Sequence, residues 1–256
     1  MATKGQTVDV FERVEVSVPP YRDALKPRDV GRGILATHRN TRRLFRDALV
    51  LLENGRYPGA VGLAILAQEE AAKPQTIGYI STKPTSSALV DEWRRLWRDF
   101  EDHAKKNLVT LELHRLLGNF PSDVREELEN VDTKDEAESY VRLRERCTYV
   151  DCVQGEERWS LPEAVLDREA VLVFFQAIRK ALQRIYTAEQ VTRLHGTSEA
   201  AALVCSPEAL QALREWSGTK EAAELSRLDL EEQSEWNAET GAALTRLGGH
   251  AGEAEA

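Results

Sequence analysis

Apolar residues return every three or four positions along most of this chain, the period of helices that bury one face. Between about 33 and 53, Ile34, Phe45, Ala48, Leu49 and Leu52 fall on one side, with Arg39, Arg43 and Arg46 nearly opposite. Asn54-Gly55 predicts the stop, because glycine readily takes the left-handed backbone that closes a helix. Tyr57-Pro58 predicts a second start, with proline in the first turn where its missing N–H is no loss. Ala60, Leu63, Ala64 and Ala67 form a stripe of mostly small residues that allows close helix approach, and Pro74 ends the helix near Lys73. The longest predicted helix, about 87–117, carries Leu89, Trp93, Leu96, Trp97, Phe100, Ala104, Leu108 and Leu111 as a continuous stripe, with Gly118 behind it.

Downstream, Pro121 to Asn130 reads as a short acidic helix and Asp135 to about Arg146 as a charge-rich one. Cys147 to Cys152 breaks the helical period and reads as extended. Ser160-Leu161-Pro162-Glu163 has the form of a capping box and predicts a long helix to about Arg193. Its apolar side is Val171, Leu172, Phe174, Phe175, Ile178, Leu182 and Ile185. Ser206-Pro207-Glu208 opens one more helix, to about Trp216. Upstream, Val14, Val16 and Val18 before Pro19-Pro20 suggest a short edge strand. From 239 onward Gly, Ala and Glu dominate, which predicts a disordered tail. The expected organisation is an all-α bundle: an arm over 1–32, a helical domain over 33–195, a C-terminal helical extension over 196–238 and the tail over 239–256.

Composition narrows the chemistry. The 256 residues are 42% hydrophobic and 30% charged, enough for a packed core, and the net charge of −9 disfavours a generic nucleic-acid coat. Any contact with nucleic acid must then be local. Cys147, Cys152 and Cys205 are odd in number and lack CxxC spacing, so reduced, buried thiols in a cytoplasmic protein are expected. No apolar leader follows the first lysine, and no run approaches the roughly 20 apolar residues of a membrane span. A Gly-rich phosphate loop, GxSxG, HExxH and a Cys/His metal set are all missing, so no cofactor or metal is read.

Two features remain. Arg98-Asp99 precedes His103 on the long helix, and His103 falls seven residues after Leu96 and three after Phe100, on the core side. In a chain so rich in arginine such spacing also arises by chance; Arg32 and His38 repeat it. Glu70 is expected on the buried stripe of the second helix, seven after Leu63, where a carboxylate needs a partner. Lys73 on its own helix would serve, as would His103, Arg98 or Lys106 across a helix interface. Arg39, Arg43 and Arg46 read either as a solvated face or as a strip contacting RNA phosphates.

Gly55-Arg56-Tyr57, Ala60 and Ala67-Gln68-Glu69-Glu70-Ala71-Ala72-Lys73 resemble the AbiV family of phage abortive-infection proteins, part of the HEPN superfamily. Phe100-Glu101-Asp102-His103-Ala104-Lys105-Lys106 resembles a second signature of that family. Tyr149-Val150-Asp151 and Pro162 before a long helix resemble a third. The segments stand in order over about residues 33–195. The resemblance implies an HEPN-like helical bundle that pairs as a homodimer, and an antiviral defence role in the cytoplasm. It further implies a metal-independent endoribonuclease, a hydrolase acting on RNA. In that reading His103 transfers protons, Arg98 stabilises negative charge and Asp99 orients the imidazole. Glu69, Glu70, Lys73 and Lys106 form the supporting network. Arg98 and His103 stand about 140° apart on an ideal helix, so two copies across a dimer are expected to converge them better than one. A reading from another class is a non-catalytic helical module that binds a phage or host protein.

Overall fold

The computed structural model describes residues 26–74, 77, 98, 102–108, 133–149, 151–153, 158–183 and 207–249. The expected edge strand, the acidic helix at 121–130 and most of the 87–117 range lie outside these residues. So do Trp93, Trp97 and Asp99. Within 87–117 the expected single helix is corrected at Asp102, which is not helical and caps a helical start at His103, its Oδ1 accepting from Lys105 N–H at 3.1 Å.

The first helix, α1, runs Pro27–Glu53, starting earlier than the apolar stripe alone indicated. Val30 is fully buried and extends the stripe by a turn. Gly55, at φ +69°, closes α1 as anticipated. Gly55 N–H donates to Leu52 O at 3.0 Å and Arg56 N–H to Leu51 O at 2.9 Å, the paired bonds of a Schellman cap. The chain re-enters at once into α2, Tyr57–Ala71. Ala60, Ala64 and Ala67 are fully buried, and the short side chains let three neighbours reach α2: α1, α3 (Thr133–Thr148) and α4 (Arg168–Leu182).

Between α3 and α4 lies an antiparallel hairpin, β1 (Asp151–Val153) with β2 (Arg158–Ser160), in the register Asp151↔Ser160, Cys152↔Trp159 and Val153↔Arg158. The extended reading near Cys152 is thus met, although Cys147 still belongs to α3. Ser160 does not cap a helix; it ends β2. Pro162–Ala164 forms a single 3-10 turn, and α4 begins only at Arg168. Its cap is Asp167, whose Oδ1 accepts from Ala170 N–H at 2.8 Å. The capping box therefore misplaced the start of α4 by several residues: Leu161 takes an extended backbone, Pro162–Ala164 closes a single turn, and the cap falls at Asp167.

α5 (Pro207–Ser217) and α6 (Lys220–Gly249) complete the described chain. The expectation of disorder from 239 is corrected for 239–249, which are helical. Ala222, Ser226, Asp229, Gln233, Trp236, Thr240 and Ala243 alternate by four and three residues, and all are buried. This is the seam of a helix packed lengthwise on another, with polar residues at half its positions. Its partner is α1. Arg28–Glu221, Arg39–Glu232, Arg46–Glu239 and Glu53–Arg246 all pair at the same separation of 193 residues, so α1 and α6 run parallel in one register.

The main core joins α1, α2, α4 and α6. Phe45 is its hub, with ring centroids 5.5 Å from Phe175 and 5.3 Å from Trp236. A smaller cluster of Val30, Ile34, Ile77, Trp216 and Ala222 seats α5. There Gly31 is required by space: a Cβ would lie 2.0 Å from the Trp216 ring. The protein is a helical bundle with a C-terminal helical extension and, among the described residues, one small hairpin. No helix among them is long and apolar enough to cross a membrane.

Candidate active site around His103

Gln68 and Glu69 interrupt an otherwise apolar stretch of α2, and both are almost fully buried, at 1% exposure each. A buried carboxylate must be neutralised and hydrogen-bonded. Glu69 is. His103 Nδ1 lies 2.5 Å from its Oε2, and Lys106 Nζ lies 3.4 Å from the same oxygen. Arg144 Nη1 donates to Oε1 at 2.9 Å, and Asn107 Nδ2 approaches Oε1 at 3.3 Å. Asn107 Nδ2 also reaches His103 O at 3.1 Å, and its Oδ1 accepts from Gln68 Nε2 at 3.3 Å. Three pieces of chain supply these groups: α2, the helical segment 103–108, and α3.

The carboxylate at the centre is Glu69, one residue from the one predicted. Glu70 pairs instead with Lys73 on its own helix, at 2.6 and 2.9 Å, so the bridge from Glu70 to the 98–106 segment is corrected to a bridge from Glu69. One residue on a helix is a rotation of about 100°. The buried face is set by Val61, Ile65, Gln68 and Ala72 more than by Leu63, which is only partly buried. His103 does not face wholly into the core: its side chain is 41% exposed while Nδ1 points at Glu69. Arg98 is helical and exposed, and it is not among the described partners of Glu69. The orienting part assigned to Asp99 is taken at Nδ1 by Glu69.

Sequence reading missed Arg144, Asn107 and Gln68. For Gln68 and Asn107 a signal existed, a polar side chain on an apolar face. For Arg144 there was none, since Arg142, Arg144 and Arg146 alternate on one charged helix. The local charge differs from that of the whole chain. Among the described residues, Lys73, Lys105, Lys106 and Arg144 pair with Glu69, Glu70 and Asp102, so cations gather here in a protein of net charge −9.

The arginines of α1 are engaged elsewhere. Arg39 bonds Glu232, Arg46 bonds Glu239 at 2.7 Å, and Arg43 bonds Asp47 at 2.8 Å and Asn40 at 2.9 Å. Two of the three therefore fasten α6 to α1, and a phosphate would compete with these acids. Beneath them is a second polar cluster. His38 Nδ1 lies 2.6 Å from Asp229 Oδ2, while Arg42 Nη1 donates to Asp229 Oδ1 at 3.0 Å and to Gln233 Oε1 at 3.2 Å. Arg42 Nη2 donates to Glu232 at 2.7 Å. His38, Arg42 and Asp229 are all buried. Burial also raises the Cys147 thiol to about 11, which keeps it protonated and inert at neutral pH.

Comparison with known proteins gives one positive result: the family model HEPN_AbiV, described as AbiV, matches residues 29–181. No curated protein matches the chain, and no solved structure does. The match takes in α1 through most of α4, hence Glu69, His103 and Arg144, and stops before α5 and α6.

Proposed function

Because the chain belongs to the AbiV family of HEPN proteins, a family of abortive-infection defence, we propose that it is an antiphage effector that cleaves RNA at His103 without a metal. The observation that carries this reading is the Glu69–His103 pair. A buried carboxylate holds one ring nitrogen at 2.5 Å while the imidazole remains 41% exposed. Such a histidine is oriented from behind and open in front, as proton transfer requires.

In the proposed step the ribose 2′-oxygen bonds to the adjacent phosphorus as the P–O5′ bond breaks. The 2′-hydroxyl proton passes to His103 and is then returned to the departing 5′-oxygen. The products are a 2′,3′-cyclic phosphate and a 5′-hydroxyl, so no water or redox partner is consumed in this step. Arg98, exposed and five residues before His103, offsets charge on the phosphorane. Lys106 adds positive potential beside it. A homodimer with Arg98 near the two-fold axis would bring a second Arg98 toward His103.

The test is cleavage of a mixed RNA pool by purified protein, with and without EDTA. Wild type should cleave in both. His103→Ala and Arg98→Ala should each lose activity by roughly 10²–10⁴-fold, Arg98→Ala with unchanged melting temperature and His103→Ala still folded and only slightly less stable. Wild-type protein that leaves RNA intact, together with a His103→Ala variant that melts well below it, would favour instead a binding module in which the Glu69 network is structural.

A further inference from the structure

Arg144 stands outside the Arg98–His103 segment, 41 residues beyond His103 and 75 beyond Glu69, yet its Nη1 lies 2.7 Å from His103 Nδ1 and 2.9 Å from Glu69 Oε1. Nδ1 cannot both accept from Arg144 and donate to Glu69. The surrounding donors decide which it does. An ionised carboxylate offers about four lone-pair sites and no donor. Four groups approach Glu69: Arg144 and Asn107 at Oε1, His103 and Lys106 at Oε2. Arg144, Asn107 Nδ2 and Lys106 can only donate, so both oxygens of Glu69 act as acceptors. A bare Nδ1 would then set its lone pair against Oε2 at 2.5 Å, with no proton between them. Nδ1 therefore carries the proton and donates it to Glu69. The close approach of Arg144 to Nδ1 follows from two donors reaching one carboxylate side by side.

We propose that Arg144 is a positioning residue of this site: by clamping Glu69 Oε1 it holds His103 in the Nδ1–H form, so that Nε2 is the nitrogen presented to substrate. The neutral ring then has its lone pair at Nε2, ready to take the 2′-hydroxyl proton, and needs no tautomer change before each turnover. Arg144 acts through Glu69 and the ring, not on the phosphate. The functional consequence rests on the nuclease reading, whereas the tautomer rests on geometry alone.

The test separates the two. Full-length protein labelled in its histidine rings is compared with Arg144→Gln, Arg144→Lys and Glu69→Gln by ring-nitrogen chemical shifts, at a pH well above imidazole titration. The His103 signal is assigned by its loss in His103→Gln. Wild type should show the Nδ1–H form. Glu69→Gln and Arg144→Gln should both shift the population toward Nε2–H, and Arg144→Lys should restore a good part of it. A wild-type ring protonated at Nε2, or an Arg144→Gln spectrum identical to wild type, would overturn the proposal whether or not RNA is cut. With active protein, Arg144→Gln should lower kcat about 10-fold or more with KM nearly unchanged; a rise in KM alone would make Arg144 a phosphate contact and overturn it too. Absence of cleavage in wild type, with the Nδ1–H form present and sensitive to Arg144, would sink the nuclease reading and leave the clamp supported.

Discussion

Two places in this bundle join a histidine, a carboxylate and an arginine in the same way. At each, Nδ1 meets one carboxylate oxygen and a guanidinium meets the other: His38–Asp229–Arg42 between α1 and α6, and His103–Glu69–Arg144 between α2, the 103–108 segment and α3. Both carboxylates are buried, with side chains 1% and 2% exposed. The histidines differ, at 4% exposed for His38 and 41% for His103. A sealed triad can only hold helices together, since no substrate reaches its ring. The open one keeps a nitrogen for chemistry. The His–carboxylate–Arg linkage is therefore shared by the two clusters, and access to solvent is what separates a fastening from a candidate site.

The comparison breaks most visibly at its sealed end. Asp229→Ala removes the buried acid that His38 and Arg42 share and leaves Arg42, at 3% exposure, only the part-exposed Glu232, and breaking such a buried pair costs about 3–5 kcal/mol. Urea unfolding should show a loss of that size. A loss under about 1 kcal/mol would mean that water enters the α1–α6 seam and that the cluster is not sealed.

Glu69→Gln should cost less, about 1–3 kcal/mol, because His103 can turn to water and the amide keeps part of the hydrogen bonding. The same substitution should nevertheless remove RNA cleavage, while Asp229→Asn in protein that stays folded should leave it intact. If the two variants lose stability equally and activity equally, the distinction between the clusters fails.

The smallest effect lies at the rim of the sealed cluster. The hydrogen bond from Arg39 holds Glu232 below the usual carboxylate range; burial opposes this, and Arg42 adds to it. A depressed folded-state pKa stabilises the protein above the unfolded carboxylate's range, and that stability is lost as pH falls through the lower folded value. Stability should therefore decline on acidification below the ordinary glutamate range, and Glu232→Gln should flatten that decline slightly. Identical acid slopes for wild type and variant would remove Glu232 from the account.

Much of the fold was legible because α1 and α4 each obey one apolar period and Gly55 is a clear stop; α2 is buried nearly all round and ends at Ala71, and Lys73 and Pro74 are helical again, so Pro74 is not its stop. The seam of α6 was hard to see because Ser226, Asp229, Gln233 and Thr240 are polar, and 239–249 were misread because their Gly, Ala and Glu content outweighed Ala243 and Leu244 on the buried face. At the site, His103, Glu69 and Lys106 could be nominated from local spacing, but the choice between Glu69 and Glu70 turns on about 100° of helix rotation. Arg144 could not be nominated at all. Its contact with Glu69 spans 75 residues and depends on how α3 lies on α2.

The constant separation of 193 residues between paired positions on α1 and α6 also has a meaning in time. α1 leaves the ribosome 193 residues ahead of the positions on α6 with which it pairs. Until α6 emerges, the buried arginine of α1 has no acid and Phe45 lacks the Trp236 ring. Contacts so distant in sequence form slowly, and domains made during synthesis wait for their final element. The contacts of the His103 cluster span no more than 75 residues and can form before α6 emerges. A growing chain would thus hold its candidate site before it holds its own stability, and a chain interrupted before 220 would expose the face of α1 that α6 is built to cover.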